Sequence, residues 1–231
     1  APKHEIAQAV PVRPSLGVAT QSRPPLHRLD MNGDGLRDLV LWRVDSAAPL
    51  STNNATFTVF YAPTFTCSET ASFGRPGDVP TPMDFDGDSR VDQGLYRPDE
   101  ALQGTASAQG RWYWCPAVAA APVASATCPS PPTHPGRLGQ CGGGSGWSMA
   151  AFGARGDVPL PQVRLGATPQ IAVYRPETAT FYWGPAPSPY PYAQRQVAGV
   201  LADHAHTLAL DDYDGDGLTD WATYDTKSAW A

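Results

Sequence analysis

The sequence predicts an all-β protein organised as a β-propeller of about four short blades. Three observations carry that expectation. A nine-residue acidic loop recurs three times, as DMNGDGLRD from Asp30 to Asp38, DFDGDSRVD from Asp84 to Asp92 and DYDGDGLTD from Asp212 to Asp220. A longer repeat surrounds the loops: FGRPGDVPTPMDFDGDSRVDQGLYRPDE from Phe73 aligns with FGARGDVPLPQVRLGATPQIAVYRPET from Phe152. Finally, 25 prolines and 22 glycines beside only 16% charged residues favour many turns over long helices.

Taken in order, each copy reads as loop, strand, turn, strand. The runs LVLWR, QGLYR, IAVYR and WATYD alternate or are apolar, and predict strands after the loops. A second aromatic strand follows in TFTVFYAP, RWYWCPAV and TFYWGPAP, with Tyr61, Trp114 and Trp183 aligned two residues before a shared proline. A further strand leads into the next FG. Such a unit cannot bury both faces alone, so copies must stack.

The copies span about 26–73, 79–152, 158–199 and 208–231 of one domain covering 1–231, and the second carries a Pro, Ala and Gly rich insertion at 116–146. In the third copy the loop has decayed by one deletion, with Val163, Leu165 and Ala167 near the places of carboxylates. The last copy lacks an outer strand. The segment from Leu16 to Ser22 is expected to supply it and close the ring within one chain, the alternative being a homodimer that pools its blades.

The loops carry the chemistry. Oxygen-bearing side chains at positions 1, 3, 5 and 9 with a backbone carbonyl at position 7 suit a hard cation, and flexible oxygen coordination suits Ca2+ better than Mg2+. The predicted ligand sets are Asp30, Asn32, Asp34, the carbonyl of Leu36 and Asp38; Asp84, Asp86, Asp88, the carbonyl of Arg90 and Asp92; and Asp212, Asp214, Asp216, the carbonyl of Leu218 and Asp220. An EF-hand is excluded, because its twelfth position would be Leu41, Leu95 or Thr223 inside a strand rather than a bidentate Glu. These loops hold 11 of the 22 acidic residues, so three divalent cations would cancel the formal charge of −6. The acidity is therefore local, and no basic surface for nucleic acid is apparent.

FG..GD.P followed by an acidic loop, an aromatic strand ending YRP and a second aromatic strand resembles the bacterial FG-GAP or VCBS repeats, related to the integrin α-subunit propeller. The resemblance covers about four-fifths of the chain. It implies a secreted or surface-exposed protein with calcium in its blade loops, acting in adhesion or glycan binding. The low blade number departs from the family, whose propellers usually have about seven.

No apolar run is long enough to span a membrane, and APKHEIAQ lacks a signal-peptide core, so an export signal is expected to have been removed already. Cys67, Cys115, Cys128 and Cys141 show no CxxC spacing, and two disulfides fit better than a zinc or redox site. Of the three connectivities, Cys67–Cys115 between neighbouring blades with Cys128–Cys141 inside the insertion is expected.

Several motifs carry less. RGD at Arg155–Asp157 falls on the repeat's own turn, NAT at Asn54 is a formal glycosylation acceptor, and His204 with His206 lacks a third ligand. GGGSGW reads as a flexible linker, and Asp99, Glu100 and Glu177 show no catalytic spacing. Trp42, Tyr96, Tyr174 and Tyr224 recur at one strand position and suit packing between blades. Sugar stacking would fall to aromatics outside the repeat, Trp147, Tyr190 and Tyr192. The expected function is a non-enzymatic, calcium-binding adhesion or carbohydrate-binding module whose partner is a glycan or a cell-surface protein. An interaction domain of a larger surface protein is the alternative, and a propeller enzyme acting on polysaccharide comes third.

Overall fold

The computed structural model describes residues 29–44, 55–101, 108–119, 137–139, 141, 146–165, 168–186, 189, 191–196 and 206–225. Within them the chain is all-β. The first sheet orders β1 (Leu39–Val44), β2 (Ala55–Tyr61) and β3 (Cys67–Ser72). The second orders β4 (Val79–Pro80), β5 (Gln93–Ala101), β6 (Ala108–Cys115) and β7 (Ser148–Ala154). The third runs β8 (Val158–Val163), β9 (Gln170–Arg175), β10 (Thr180–Pro185) and β11 (Ala193–Gln196), and the fourth pairs β12 (His206–Asp211) with β13 (Asp220–Asp225). All pairings are antiparallel between strands adjacent in sequence, as short turn-rich connections require. Each predicted run after a loop is a strand. The segment from Leu16 to Ser22, the terminal KSAWA and the ring closure built on them lie outside the described residues.

Side-chain alternation decides how the sheets stack. Counting from Asp38, Asp92 and Gln170, the second and fourth residues face the next sheet; counting from Asp92 and Gln170, the first and third face the previous one, as Trp221 does after Asp220. Trp42 therefore packs toward Phe57, Leu95 and Tyr113 between the first and second sheets. Tyr96 packs with Trp112, Trp114, Ile171 and Val173 between the second and third. Tyr174 joins Phe181, Leu210 and Trp221 between the third and fourth. Burial of each large side chain of this kind contributes roughly 1.5 to 3 kcal/mol, so these three seams hold the stack together.

The register corrects one alignment. Trp42, Tyr96 and Tyr174 lie opposite Phe57, Trp112 and Phe181, which makes Val59, and not Tyr61, the counterpart of Trp114 and Trp183. The shared proline misleads because β2 continues two residues further before its Ala-Pro. An even offset leaves every side chain on its original face, so the sequence pattern does not reveal it.

The disulfides also differ from expectation. Cys115 is bonded to Cys141, with Cα atoms 5.8 Å apart, which excludes both Cys67–Cys115 and Cys128–Cys141. Cys67 is disulfide-bonded as well, and Cys128 lies outside the described residues. The reason is that part of the insertion returns between the first two sheets. Leu138 is buried against Val59 and Tyr61, its amide donates to Glu69 (3.1 Å), and Gln93 donates to the carbonyl of Gly139 (2.6 Å). A Cβ on Gly139 would meet the carbonyl oxygen of Pro116 at 2.2 Å and Cys115 Sγ at 2.6 Å, so only glycine allows this approach. The insertion is in part a wedge.

The hairpin ends opposite the acidic loops are held by a second device. In GD of the repeat, Gly77 and Gly156 take φ of 91° and 82°, turning the chain so that Asp78 and Asp157 cap the amides of Arg75 and Ala154. Each carboxylate also receives a two-pronged guanidinium, Arg97 at 2.7 and 2.9 Å and Arg175 at 2.8 and 2.9 Å. Both guanidinium groups lie over a tyrosine of the next strand, Tyr113 or Tyr182, at 4.5 and 4.4 Å. Asp157 of the RGD sequence is thereby buried and engaged.

Two outcomes are expected. Peptide mapping without reduction should return Cys115 joined to Cys141. Asp78→Ala should destabilise by about 3 kcal/mol, because it removes the two-pronged counter-charge of a largely buried guanidinium and leaves the Arg75 amide uncapped. Asp157→Ala should cost less, since Arg175 is 27% exposed against 14% for Arg97, and denaturant unfolding of the two variants checks the order.

Candidate metal-binding loops

The three acidic loops have one hydrogen-bond plan. Position 1 accepts amides from positions 4 and 6: Gly33 and Gly35 onto Asp30, Gly87 and Ser89 onto Asp84, Gly215 and Gly217 onto Asp212, all within 2.6–3.0 Å. Position 3 accepts the amide of position 5 at 3.1 Å in every copy, through Asn32, Asp86 and Asp214. Position 5 accepts the amide of position 7, from Leu36, Arg90 and Leu218. These are successive Asx turns, which explains why the residue types recur at every second position.

Closing so tight a coil needs positive φ at positions 4 and 6. Glycine supplies it everywhere except at Ser89, where φ is 70°. The result crowds like charge. Carboxylate oxygens of Asp84, Asp86 and Asp88 lie within 4.8 Å of one another, as do those of Asp212, Asp214 and Asp216. One oxygen of each position 3 and 5 carboxylate takes the backbone amide, leaving the other outside that turn. In the second loop the Arg90 guanidinium pairs with Asp88, and in the first Asn32 donates to Asp34 at 3.2 Å.

Position 9 has a distinct task. Asp38, Asp92 and Asp220 accept the amide of position 2, from Met31, Phe85 and Tyr213. The other oxygen of Asp38 accepts from Ala62, and that of Asp92 from Ala117 at 2.7 Å, register-equivalent residues past the ends of β2 and β6. One carboxylate thus ties its loop to the neighbouring strand. Burial raises the Asp92 carboxyl to about 8 and Asp38 to about 6 against the opposing amide hydrogen bonds, and it also raises Asp30, Asp84 and Asp88.

Successive loops touch. The position 8 amide of one loop donates to the position 1 carbonyl of the loop before it, Val91 to Asp30 at 2.9 Å and Thr219 to Arg164 at 2.7 Å. Between them Gln162 donates to the carbonyl of Pro82. Arg164 holds position 1 of the decayed loop because a bulge at Leu160–Val163, with Gln162 at φ 58°, inserts one residue into β8. The places expected for Val163, Leu165 and Ala167 therefore shift. Gln170 pairs where Asp92 and Asp220 stand, and an arginine at position 1 replaces the anion a cation would need.

Two of the predicted surface aromatics are brought to equivalent places. Trp147 immediately precedes β7 and Tyr192 immediately precedes β11, each one residue beyond the register pairs Trp114 with Ser148 and Trp183 with Ala193. Trp147 is 41% exposed and lies 5.6 Å from the ring of Tyr113, while Tyr192 is 49% exposed and lies 5.9 Å from that of Tyr182. Tyr113 and Tyr182 are the rings under Arg97 and Arg175. Tyr190, His204 and Asn54 lie outside the described residues. His206 is on β12, Asp99 and Glu100 are on β5, and Glu177 is exposed on the 3-10 turn Pro176–Thr178.

Reading the sequence alone missed the position 9 link to the next strand, the Asp–Arg pairs and the Glu69 carboxylate, which receives Tyr61 Oη and the Leu138 amide at 3.1 Å each. The Asp–Arg pairs had a signal, since GD and YR recur together in the second and third copies. No protein-family model, no curated protein and no solved structure matches this chain.

The raised carboxyls fix a pH response. Without a divalent cation, Asp38 and Asp92 prefer their neutral form in the fold relative to an unfolded Asp at 3.8. Their stabilising contribution is full below that value and is lost as pH rises through about 6 and about 8. Chelated protein should melt at a lower temperature at pH 8.5 than at pH 5, and added calcium should remove most of the difference. A melting temperature in chelator that climbs with pH would overturn the account.

Proposed function

We propose that this protein is a calcium-stabilised, non-enzymatic carbohydrate-binding module, built from β-propeller blades of the FG-GAP or VCBS type and working outside the cell. The single observation that supports binding most directly is the repeated platform. An exposed Trp147 or Tyr192 stands against a buried or half-buried tyrosine, which is itself held by an Asp-locked arginine. A flat, rigid, exposed aromatic stacks on the C–H face of a pyranose ring and loses little conformational entropy in doing so. Two platforms at equivalent positions of neighbouring sheets suit repeated sugars on one glycan, where linkage raises avidity by about 10²-fold or more.

Calcium is supported by donor chemistry. Each intact loop gathers hard oxygen donors on a coil whose carboxylates repel one another and are partly desolvated, and a divalent cation relieves both costs. The third sheet, with Arg164 and Gln170 in its loop, needs no ion. The stacked sheets, joined face to face in sequence order, support the propeller reading with each sheet as a blade.

A glycan array with the calcium-loaded chain tests the proposal. Trp147→Ala and Tyr192→Ala should each weaken binding about tenfold, and the double variant should lose the avidity gain. Calorimetry should detect calcium in preference to magnesium, with binding reduced by Asp84→Ala. An array without signal from well-folded, calcium-loaded protein favours an interaction domain with no sugar ligand.

A further inference from the structure

Among the described residues, no sheet lies over the outer face of the first one. Residues one and three after the acidic loop face the previous sheet, and in the second and third sheets they are sealed: Gln93 and Leu95 are 1% exposed, and Ile171 and Val173 are fully buried. In the first sheet the same positions are Leu39 and Leu41, each 49% exposed. Arg37, at position 8 of the first loop, is exposed, whereas its counterparts Val91 and Thr219 are buried through their bonds to the preceding loop.

The fourth sheet has the complementary face. Leu210 and Trp221 turn toward the third sheet, so alternation turns Ala209 and Ala222 the other way. The seams within the chain define what fits that face of the first sheet: another sheet, presented by its second-and-fourth face, with its loop's first carbonyl near Arg37, as Asp30 and Arg164 present theirs to Val91 and Thr219.

We propose that this occupant is the β12–β13 sheet of a second copy of the chain. Two copies then dock head to tail at both ends, each giving its fourth sheet to the other's first, and the ring closes with two-fold symmetry instead of growing into a filament. The inference rests on sheet packing alone and stands whether or not the loops bind calcium or the aromatics bind sugar.

Light scattering on the full chain should give about twice 24.6 kDa. Leu39→Ser with Leu41→Ser should yield a folded monomer, and Ala209→Arg, which damages the opposite end, should do the same. Near-ultraviolet circular dichroism establishes that each variant keeps its packed aromatics. Mixing the two variants should restore dimers, because the sound fourth sheet of one meets the sound first sheet of the other. A wild-type monomer at 100 micromolar, as expected if the chain's own N-terminal residues or its own fourth sheet cover Leu39 and Leu41, overturns the proposal. So does a dimer indifferent to both variants, or a mixture that stays monomeric.

Discussion

The carboxylate that ends each intact acidic loop is the constraint on which the rest of the structure depends. Asp92 is fully buried, with one oxygen on the amide of Phe85 and the other on that of Ala117. It joins the start of its own loop, the first residue before β5 and the chain beyond β6 at one point. Asp38 does the same with Met31 and Ala62. A group so desolvated, on a coil of other carboxylates, prefers to be neutral, yet its amide partners favour the anion. The sheets are therefore anchored on a group whose charge the protein alone does not fully stabilise, a conflict that a bound cation would resolve.

The second sheet is clamped at both ends by different chemistry. At the loop end, carboxylates bind backbone amides. At the other end, Asp78 and Asp157 bind Arg97 and Arg175, and the guanidinium groups in turn press on Tyr113 and Tyr182. This second clamp supplies its own counter-charge and needs no ion. It survives intact in the third sheet, where the loop has lost its acids, which explains how that sheet keeps its register with Arg164 and Gln170 in the loop. It also immobilises the tyrosines behind Trp147 and Tyr192, so one ion pair serves both stability and the surface.

Much of the fold was legible because it is local and repeated. Strands such as LVLWR and QGLYR follow from alternation, and the acidic coils follow from Asp or Asn at every second position with glycine between. The ends of these elements, the faces they present and the equivalence of Trp42, Tyr96 and Tyr174 need only counting. Counting failed where an insertion changed phase without changing face. The two extra residues of β2 and the bulge in β8 both misplace an alignment that is read from prolines and carboxylates.

What the sequence by itself determined is the class, the repeat and the loop chemistry, since these depend on neighbours a few residues apart. Tertiary structure decided which distant groups share a seam. Cys115 meets Cys141, rather than Cys67, because Leu138 and Gly139 wedge the insertion between two sheets, and no spacing rule anticipates a return of that kind. Trp147 and Tyr192 become equivalent only through pairing of outer strands that share no sequence pattern. Leu39 and Leu41 read as ordinary core residues in the sequence, and only the arrangement of sheets leaves them in the open. Local pattern reports which face of a strand is apolar; what lies over that face is settled by the path of the whole chain.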